Sequence, residues 1–496
     1  MTRCKRQSAL VSVSLLMVFS CKTVHTNASR LKDSSGDEIN ITIDARSDDG
    51  QWQGWGTSLA WWASTLGDRD DLADIFFTTK TTRFDNRDLP GLGFNIARFN
   101  AGASSNVAAA NGERMVASKK LDPSRKIEGF WNDWNSEDPN SSSWNWNADP
   151  KQVAMLKKAK DRGANHLELF SNSPMWWMLY NHNPSGWGGN ENLQPWNYQK
   201  HAVYLATIAK HAKDSWGINF ESVEPFNEPT ANWWTDFNNQ EGCHFDPETM
   251  TTIIGYESQE LANRGLNAMV TASDENLYDE AVTTYRIFDQ STRSKLGRIN
   301  VHGYQELKGR RDLLYSMAKE TNKPIWNSEY GEGDPAGLRM AKNILMDFQW
   351  LHPVGWVYWQ VLDGYNWGII DAHLNDNWVG GVLPKYYVLA QFSRHIREGM
   401  KILRSKQDNA VAAYDGANHK LIVVAANDGP ARWMDFDLTS FRKADGSENK
   451  AHRWTTVTDG SELYGAHFDI AVRDRKFQAL FPANSVQTFE IENVEL

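Results

Sequence analysis

The chain has 496 residues, of which 41% are apolar and 23% charged, and a net charge of −10, the make-up of a folded globular protein with an acidic surface. That charge argues against nucleic acid as a partner, and the length suits one large domain joined to a small one. The 23 Trp and 15 Tyr exceed what a core needs, and many Trp stand beside Asn, Gly and Ser. Such neighbours place them in polar loops, where an indole can offer a flat apolar face with a hydrogen-bonding edge, a shape suited to the C–H face of a sugar ring.

Residues 1–30 begin with Arg3, Lys5 and Arg6 and continue in an apolar run from Ala9 to Phe19, too short to cross a bilayer as a helix. This reads as an export signal, and a secreted, periplasmic or cell-surface location follows. Val18-Phe19-Ser20-Cys21 resembles a bacterial lipobox with Cys21 as the lipid-bearing residue, while Thr26-Asn27-Ala28 would serve ordinary cleavage. Cys4 and Cys21 would leave with the signal or carry lipid, so Cys243 is the one thiol expected in the fold and no disulfide framework can be built. Asn27, Asn40 and Asn140 head Asn-X-Ser/Thr sites that would be glycosylated only in a eukaryotic host.

From residue 52 to 395, short β-rich segments alternate with amphipathic stretches of helical length, the pattern of a parallel sheet covered by helices. The strand candidates, in order, are "GWGTSL" from Gly54, "NIARFN" from Asn95, "HLELFSN" from His166, "FESVEPFNEP" from Phe220, "MVTASDEN" from Met269, "RINVHGY" from Arg298, "PIWNSEYG" from Pro324 and "VGWVYWQ" from Val354. The clearest helix is "DPKQVAMLKKAKDRG", with Asp149 expected as N-cap, Pro150 at the first helical position and Gly163 at the exit. Eight such units predict a closed (β/α)8 TIM barrel, with functional groups at the C-terminal ends of its strands.

Residues 396–496 change character. Runs such as "AVAAYDG", "KLIVVAAND", "DFDLTSF" and "FQALFPANSVQTFEI" are separated by turn residues and lack a long helix, which predicts a C-terminal antiparallel β-sandwich domain. The segment 39–51, with "INITIDA", can add a strand to it, because the termini of a domain often lie close together.

The stretch "EPFNEP", residues 224–229, ends the fourth strand with Glu228 and Pro229, and the seventh strand ends with Glu329 in "NSEYG". Carboxylates on strands four and seven would face each other across the barrel mouth. Cleavage of a glycosidic bond with retention needs such a pair about 5 to 5.5 Å apart, one group protonating the leaving oxygen and the other attacking the anomeric carbon. Repulsion from the ionised nucleophile and desolvation by aromatics should raise the pKa of the acid.

"PFNEP" looks like the Asn-Glu-Pro acid/base motif of clan A glycoside hydrolases, and "NSEYG" looks like their strand-seven nucleophile. The ordered set "GWGTSLAWWA", "SNSPMWWM", "EPFNEP", "QEGCHF" and "NSEYGEGD" resembles glycoside hydrolase family 30, in particular its endo-β-1,6-galactanase branch, from Gly54 to the C-terminus. The resemblance implies Glu228 as acid/base and Glu329 as nucleophile. It implies that Asn227 bonds the hydroxyl next to the anomeric carbon, that Arg98 orients and charge-balances the nucleophile, and that His302 and Tyr304 line the subsite. Trp359 would form the floor under the sugar, with Trp62 and Trp177 as further substrate-binding candidates. Where relatives acting on β-glucosides tend to carry Trp ahead of the strand-three Ser-Pro, this chain has Ser171 and Asn172, which would leave room for the axial hydroxyl of galactose; Trp176 and Trp177 could fill that volume from another side.

The expectation is therefore a monomeric retaining hydrolase of β-1,6-galactan, such as arabinogalactan side chains, acting internally and without a cofactor. A β-1,6-glucanase or a β-glucosidase-like relative would share the machinery, and a non-catalytic glycan-binding protein would share the scaffold. Several residues have plainer readings. Glu224 is expected as a buried carboxylate bonded to a neighbour such as Arg98, and Glu332 and Asp334 as a loop or capping pair. His244 near Asp246 and Glu241 lacks metal-ligand spacing, so no metal is expected. "GWGGN" from Gly186 follows no strand with a phosphate-loop pattern.

Overall fold

The computed structural model of the chain describes residues 39–496. The expected export signal over 1–30, with Cys4, Cys21 and Asn27, lies outside the described residues. Each of the eight β-rich segments forms a barrel strand: Gly54–Ser58, Ile96–Asn100, His166–Phe170, Ser222–Glu224, Met269–Glu275, Leu296–His302, Ile325–Tyr330 and Gly355–Tyr358. They pair in parallel in chain order, and the eighth closes on the first with Gly355 opposite Gly54. All eight C-terminal ends therefore open on one face. Ile96, Trp326 and Val357 form a small apolar cluster apart from the main core, and Arg298 lies 3.3 Å over the Trp326 ring.

The fourth strand is shorter than its sequence suggests. Pro225 has no N–H for the ladder, so the chain leaves the sheet after Glu224. Glu228 then adopts a left-handed backbone at φ +47°, and its N–H donates to the Asp274 carbonyl at 2.8 Å. The helix Pro150–Asp161 starts where its proline predicts, but Asp149 does not cap it through the side chain. At φ +41° the Asp149 carboxylate turns aside and accepts instead from Ser64 Oγ at 3.1 Å and from Gln152.

Beyond the barrel, Lys401–Leu403, Ala410–Asp415, Lys420–Asn427, Ser485–Ile491, Lys450–Val457 and Gly465–Ala471 form a six-stranded sheet in that spatial order. A second sheet faces it, in which Ile39–Thr42 pairs in parallel with Arg432–Asp437, itself antiparallel to Lys476–Phe481. The nearly unbroken apolar runs have a simple cause. Leu421, Val423 and Ala425 point into the core between the sheets, while Ile422, Val424 and Ala426 pack with the barrel core. Both faces are covered, so neither alternate position is polar. The strands Lys450–Val457 and Gly465–Ala471 escaped the sequence reading because the latter, at the sheet edge, is largely exposed and both carry mixed polar residues. Gln391, on the last barrel helix Pro384–Ser393, ties the parts together by donating to Thr456 Oγ1 at 2.8 Å and accepting from Thr488 Oγ1 at 2.6 Å. Cys243 is a free, buried thiol. Among the described residues no helix is long and apolar enough to cross a membrane.

Candidate active site

Glu228 and Glu329 meet at the open end of the barrel. One carboxylate oxygen of each, together with a ring nitrogen of His302, falls within a mutual span of 4.8 Å. Both acids border a cleft of about 560 Å³ that runs from the loop after the fourth strand, with Asn227, Trp233 and Trp234, to the loop after the eighth, with Trp359, Tyr365 and Trp367. The exposures of Glu228 and Glu329 are 7% and 4%, so each presents only an edge to the cleft.

Each carboxylate is held by named donors. Asn276 Nδ2 donates to Glu228 Oε1 at 2.7 Å, and Trp234 Nε1 donates to the Glu228 carbonyl at 2.8 Å, which fixes the left-handed turn. Tyr304 OH donates to Glu329 Oε1 at 2.8 Å. Burial and the charges of Glu329 and Glu228 raise the Tyr304 hydroxyl well above its ordinary range, so it stays a neutral donor. Glu329 Oε2 accepts no hydrogen bond and lies 3.6 Å from Arg98 Nη1.

Beneath the pair is a layer of fully buried charge. Arg98 donates to Glu168 Oε1 at 2.7 Å, to the Ser328 carbonyl at 3.0 Å and to Asp274. Glu168 also binds Arg298, Ser222 Oγ at 2.7 Å and Asn300 Nδ2 at 3.0 Å. His302 Nδ1 lies 3.3 Å from Glu228 and 3.6 Å from Glu329, with Nε2 3.5 Å from Asp274. Burial alone would lower the His302 pKa, but Glu329 and Asp274 outweigh it and raise it to about 10. Asp274 moves the opposite way: burial opposes its charge, yet Arg98 and His302 hold it below the usual carboxylate range.

Burial pushes the Glu329 carboxyl up to about 7, with His302 and Arg98 pulling down and Glu228 and Asp274 pushing up. The raised group is thus the residue expected as nucleophile. Both ring nitrogens of His302 face carboxylates, Nδ1 toward Glu228 and Glu329 and Nε2 toward Asp274.

The structure places the other sequence candidates unevenly. Asn227 borders the cleft and its Oδ1 has no partner. Trp359 borders it too, meeting Trp61 edge to face at 5.0 Å. Arg98 and His302 are fully buried, so His302 supports the carboxylates from below and does not line the subsite. Trp62 is a correction. It is fully buried against Phe76 with its Nε1 on the Ser58 carbonyl at 2.8 Å, and the preceding Trp61 is the one in the cleft. Trp177 is likewise turned inward, 3% exposed and bonded to the Trp131 carbonyl at 2.8 Å. The helix that begins at residue 62 puts only one of the two adjacent indoles on the cleft side.

Glu224 is buried as expected, but Arg98 spends its donors elsewhere and neither Glu224 oxygen has a hydrogen-bond partner. Burial, then Asp274 and Glu168, raises its pKa far above normal. Ser171 and Asn172 are buried and do not border the cleft, and both polar atoms of the Asn172 amide are unpartnered. Glu332 accepts from the Asp334 N–H, and Asp334 accepts from the Ala336 N–H at 2.9 Å, a loop turn. Sequence reasoning missed Glu168, Asp274 and Asn276. The latter two close the fifth strand in "SDEN" and could have been found by searching every strand end for polar side chains.

Three comparisons bear on this geometry. The model for O-glycosyl hydrolase family 30 matches residues 38–290. The endo-β-1,6-galactanase of Hypocrea rufa is 53% identical over 92% of this chain and 96% of its own. The catalytic domain of family 30 xylanase C from Talaromyces cellulolyticus superposes with a TM-score of 0.70 at 18% identity, covering 92% of this chain and all of that one, and shares the fold. A closed barrel with two acids at its mouth, a matching family model and a 53% identical relative lead to one statement: the chain belongs to glycoside hydrolase family 30.

Proposed function

We propose that the chain is an exported, retaining enzyme that hydrolyses β-1,6-linked galactan, such as the side chains of arabinogalactan, at internal bonds. The observation that carries the substrate is the 53% identity to an endo-β-1,6-galactanase across nearly the full length of both chains. What supports the chemistry is the approach of the two carboxylates within 4.8 Å, close enough for attack and leaving-group protonation on opposite faces of one sugar. Glu329 attacks the anomeric carbon to form a glycosyl-enzyme ester as Glu228 gives its proton to the departing O6. Glu228, now a carboxylate, takes a proton from water, which opens the ester and restores both groups. Arg98 and His302 spread positive charge beneath Glu329, and the Tyr304 hydroxyl fixes its rotamer. Asn227 borders the cleft beside Glu228, where its amide can meet the neighbouring sugar hydroxyl, and Trp359 offers its face to the ring.

Digestion of β-1,6-galactan and β-1,6-glucan side by side tests this. Galactose oligomers of mixed length should appear early from galactan, with glucan left intact. Faster release from glucan would overturn the galactan reading in favour of a glucanase, and release of only one short product from the outset would overturn internal cleavage.

A further inference from the structure

The Gly-rich "GWGGN" stretch, without a role in phosphate binding, has a structural task that points outward from the cleft. Gly186 and Gly189 stand at φ +125° and +74°, and a Cβ on them would come within 2.3 Å of Trp234 and 2.7 Å of Asn232 backbone atoms. Only glycine permits that approach. The Trp187 and Gly189 N–H groups both donate to the Trp234 carbonyl, at 3.1 and 2.8 Å. The loop is therefore locked to the segment whose two indoles, Trp233 and Trp234, form part of the cleft wall.

On its outer side this loop leaves three large aromatics in solvent. Tyr180, Trp187 and Trp196 are 45%, 43% and 68% exposed, and Tyr180 touches both Trp rings at centroid distances of 5.5 and 5.8 Å. Their backbone is held by an amide network. Asn181 Nδ2 donates to the Gly186 carbonyl at 2.9 Å, Asn192 Nδ2 to Asn181 Oδ1 at 2.8 Å, and Asn183 Nδ2 to the Asp236 carbonyl at 3.1 Å. A contiguous apolar patch fixed on a rigid loop is a binding feature more often than an accident. Residues 180–196 hold five Asn or Gln side chains, one Glu and no Lys or Arg, which suits a neutral polyhydroxyl ligand better than an ionic one.

We propose that Tyr180, Trp187 and Trp196 form a second sugar-binding platform, beyond the cleft wall, that holds a remote stretch of the same neutral galactan chain being cut. The proposal rests on the galactan reading above. Sugar C–H faces stack on the exposed rings, and continuity with Trp233 and Trp234 keeps the bound polymer near the carboxylates, raising its local concentration there.

The test compares the full chain with its Trp187→Ala/Trp196→Ala variant on polymeric β-1,6-galactan and on β-1,6-galactotriose. For the variant, KM on the polymer should rise by about tenfold, kcat should hold, and kcat/KM on the trimer should stay within about twofold of wild type. Trp196→Ala alone, at the most exposed position, should show part of the same KM effect, and Trp187→Tyr should restore most of it. In a Glu329→Gln background, the double variant should migrate faster than its parent through a galactan-containing native gel. Unchanged polymer kinetics in the double variant, or equal losses on polymer and trimer, would overturn the platform while leaving the galactanase reading in place. A wild-type chain that releases nothing from β-1,6-galactan would overturn both.

Discussion

Inside the barrel mouth six ionisable side chains, Arg98, Glu168, Glu228, Asp274, His302 and Glu329, are each 7% exposed or less and stand in ion-pair reach of one another. The strands Ala410–Asp415 and Lys420–Asn427 are as deeply buried, yet their core residues are Ala, Val, Ile and Leu with a single Tyr, Tyr414, and no buried acid or base. The first arrangement costs desolvation that pairing only partly offsets, and the second gains free energy with every methyl removed from water. Rate and stability should thus respond to different parts of the chain.

The largest effect should come from Glu329→Gln. Turnover of galactan should fall by about four orders of magnitude or more, because the covalent step is deleted, while galactan binding persists. The same variant should be no less stable. The folded-state pKa of Glu329, about 7, lies above the ordinary value of 4.5, so its contribution to stability is full below pH 4.5 and is lost as pH rises through 7. Above pH 7 the variant should therefore unfold at a higher temperature than the parent. Residual turnover within tenfold of wild type would remove residue 329 from the chemistry.

A smaller effect is set by pH. As pH falls through about 7 the Glu329 carboxylate takes up a proton and can no longer attack the anomeric carbon. A plot of kcat/KM against pH should bend downward near 7 on the acidic side. A profile flat down to about pH 5 would mean that ionisation of Glu329 does not limit the attack.

The smallest effect on rate, and a clear one on stability, is expected for Val423→Ala in the core between the sheets. Removing two buried methyl groups should cost about 2 kcal/mol in chemical denaturation and leave kcat/KM unchanged. Loss of activity in step with stability would show that the sandwich and the mouth are one mechanical unit.

The same contrast explains what was legible in the sequence. Barrel strands and apolar sandwich strands announce themselves because hydrophobic periodicity is a local signal, and Glu228 and Glu329 stood out because each has a recognisable neighbourhood at a strand end. Glu168 carried no local mark, and Asp274 was marked only by its place at a strand end. Their role depends on which donors converge on them from the second and sixth strands, Arg98 and His302 for Asp274, Arg98 and Arg298 for Glu168, and that is a property of barrel closure. Trp61 and Trp62 differ by a single step along the chain, which rotates one indole into the cleft and the other into the core; composition alone cannot distinguish them. The edge strand Gly465–Ala471 was hidden for the opposite reason, having little apolar surface to bury.

The central claim is that the two carboxylates act on one anomeric centre from opposite faces by double displacement. Proton NMR of the first sugar released from a β-1,6-galactooligosaccharide, recorded before mutarotation, reads this directly. The β-anomer should be the initial product, with the α-anomer growing in only later. An α-anomer formed first would mean a single displacement by water, and would contradict the covalent role given to Glu329.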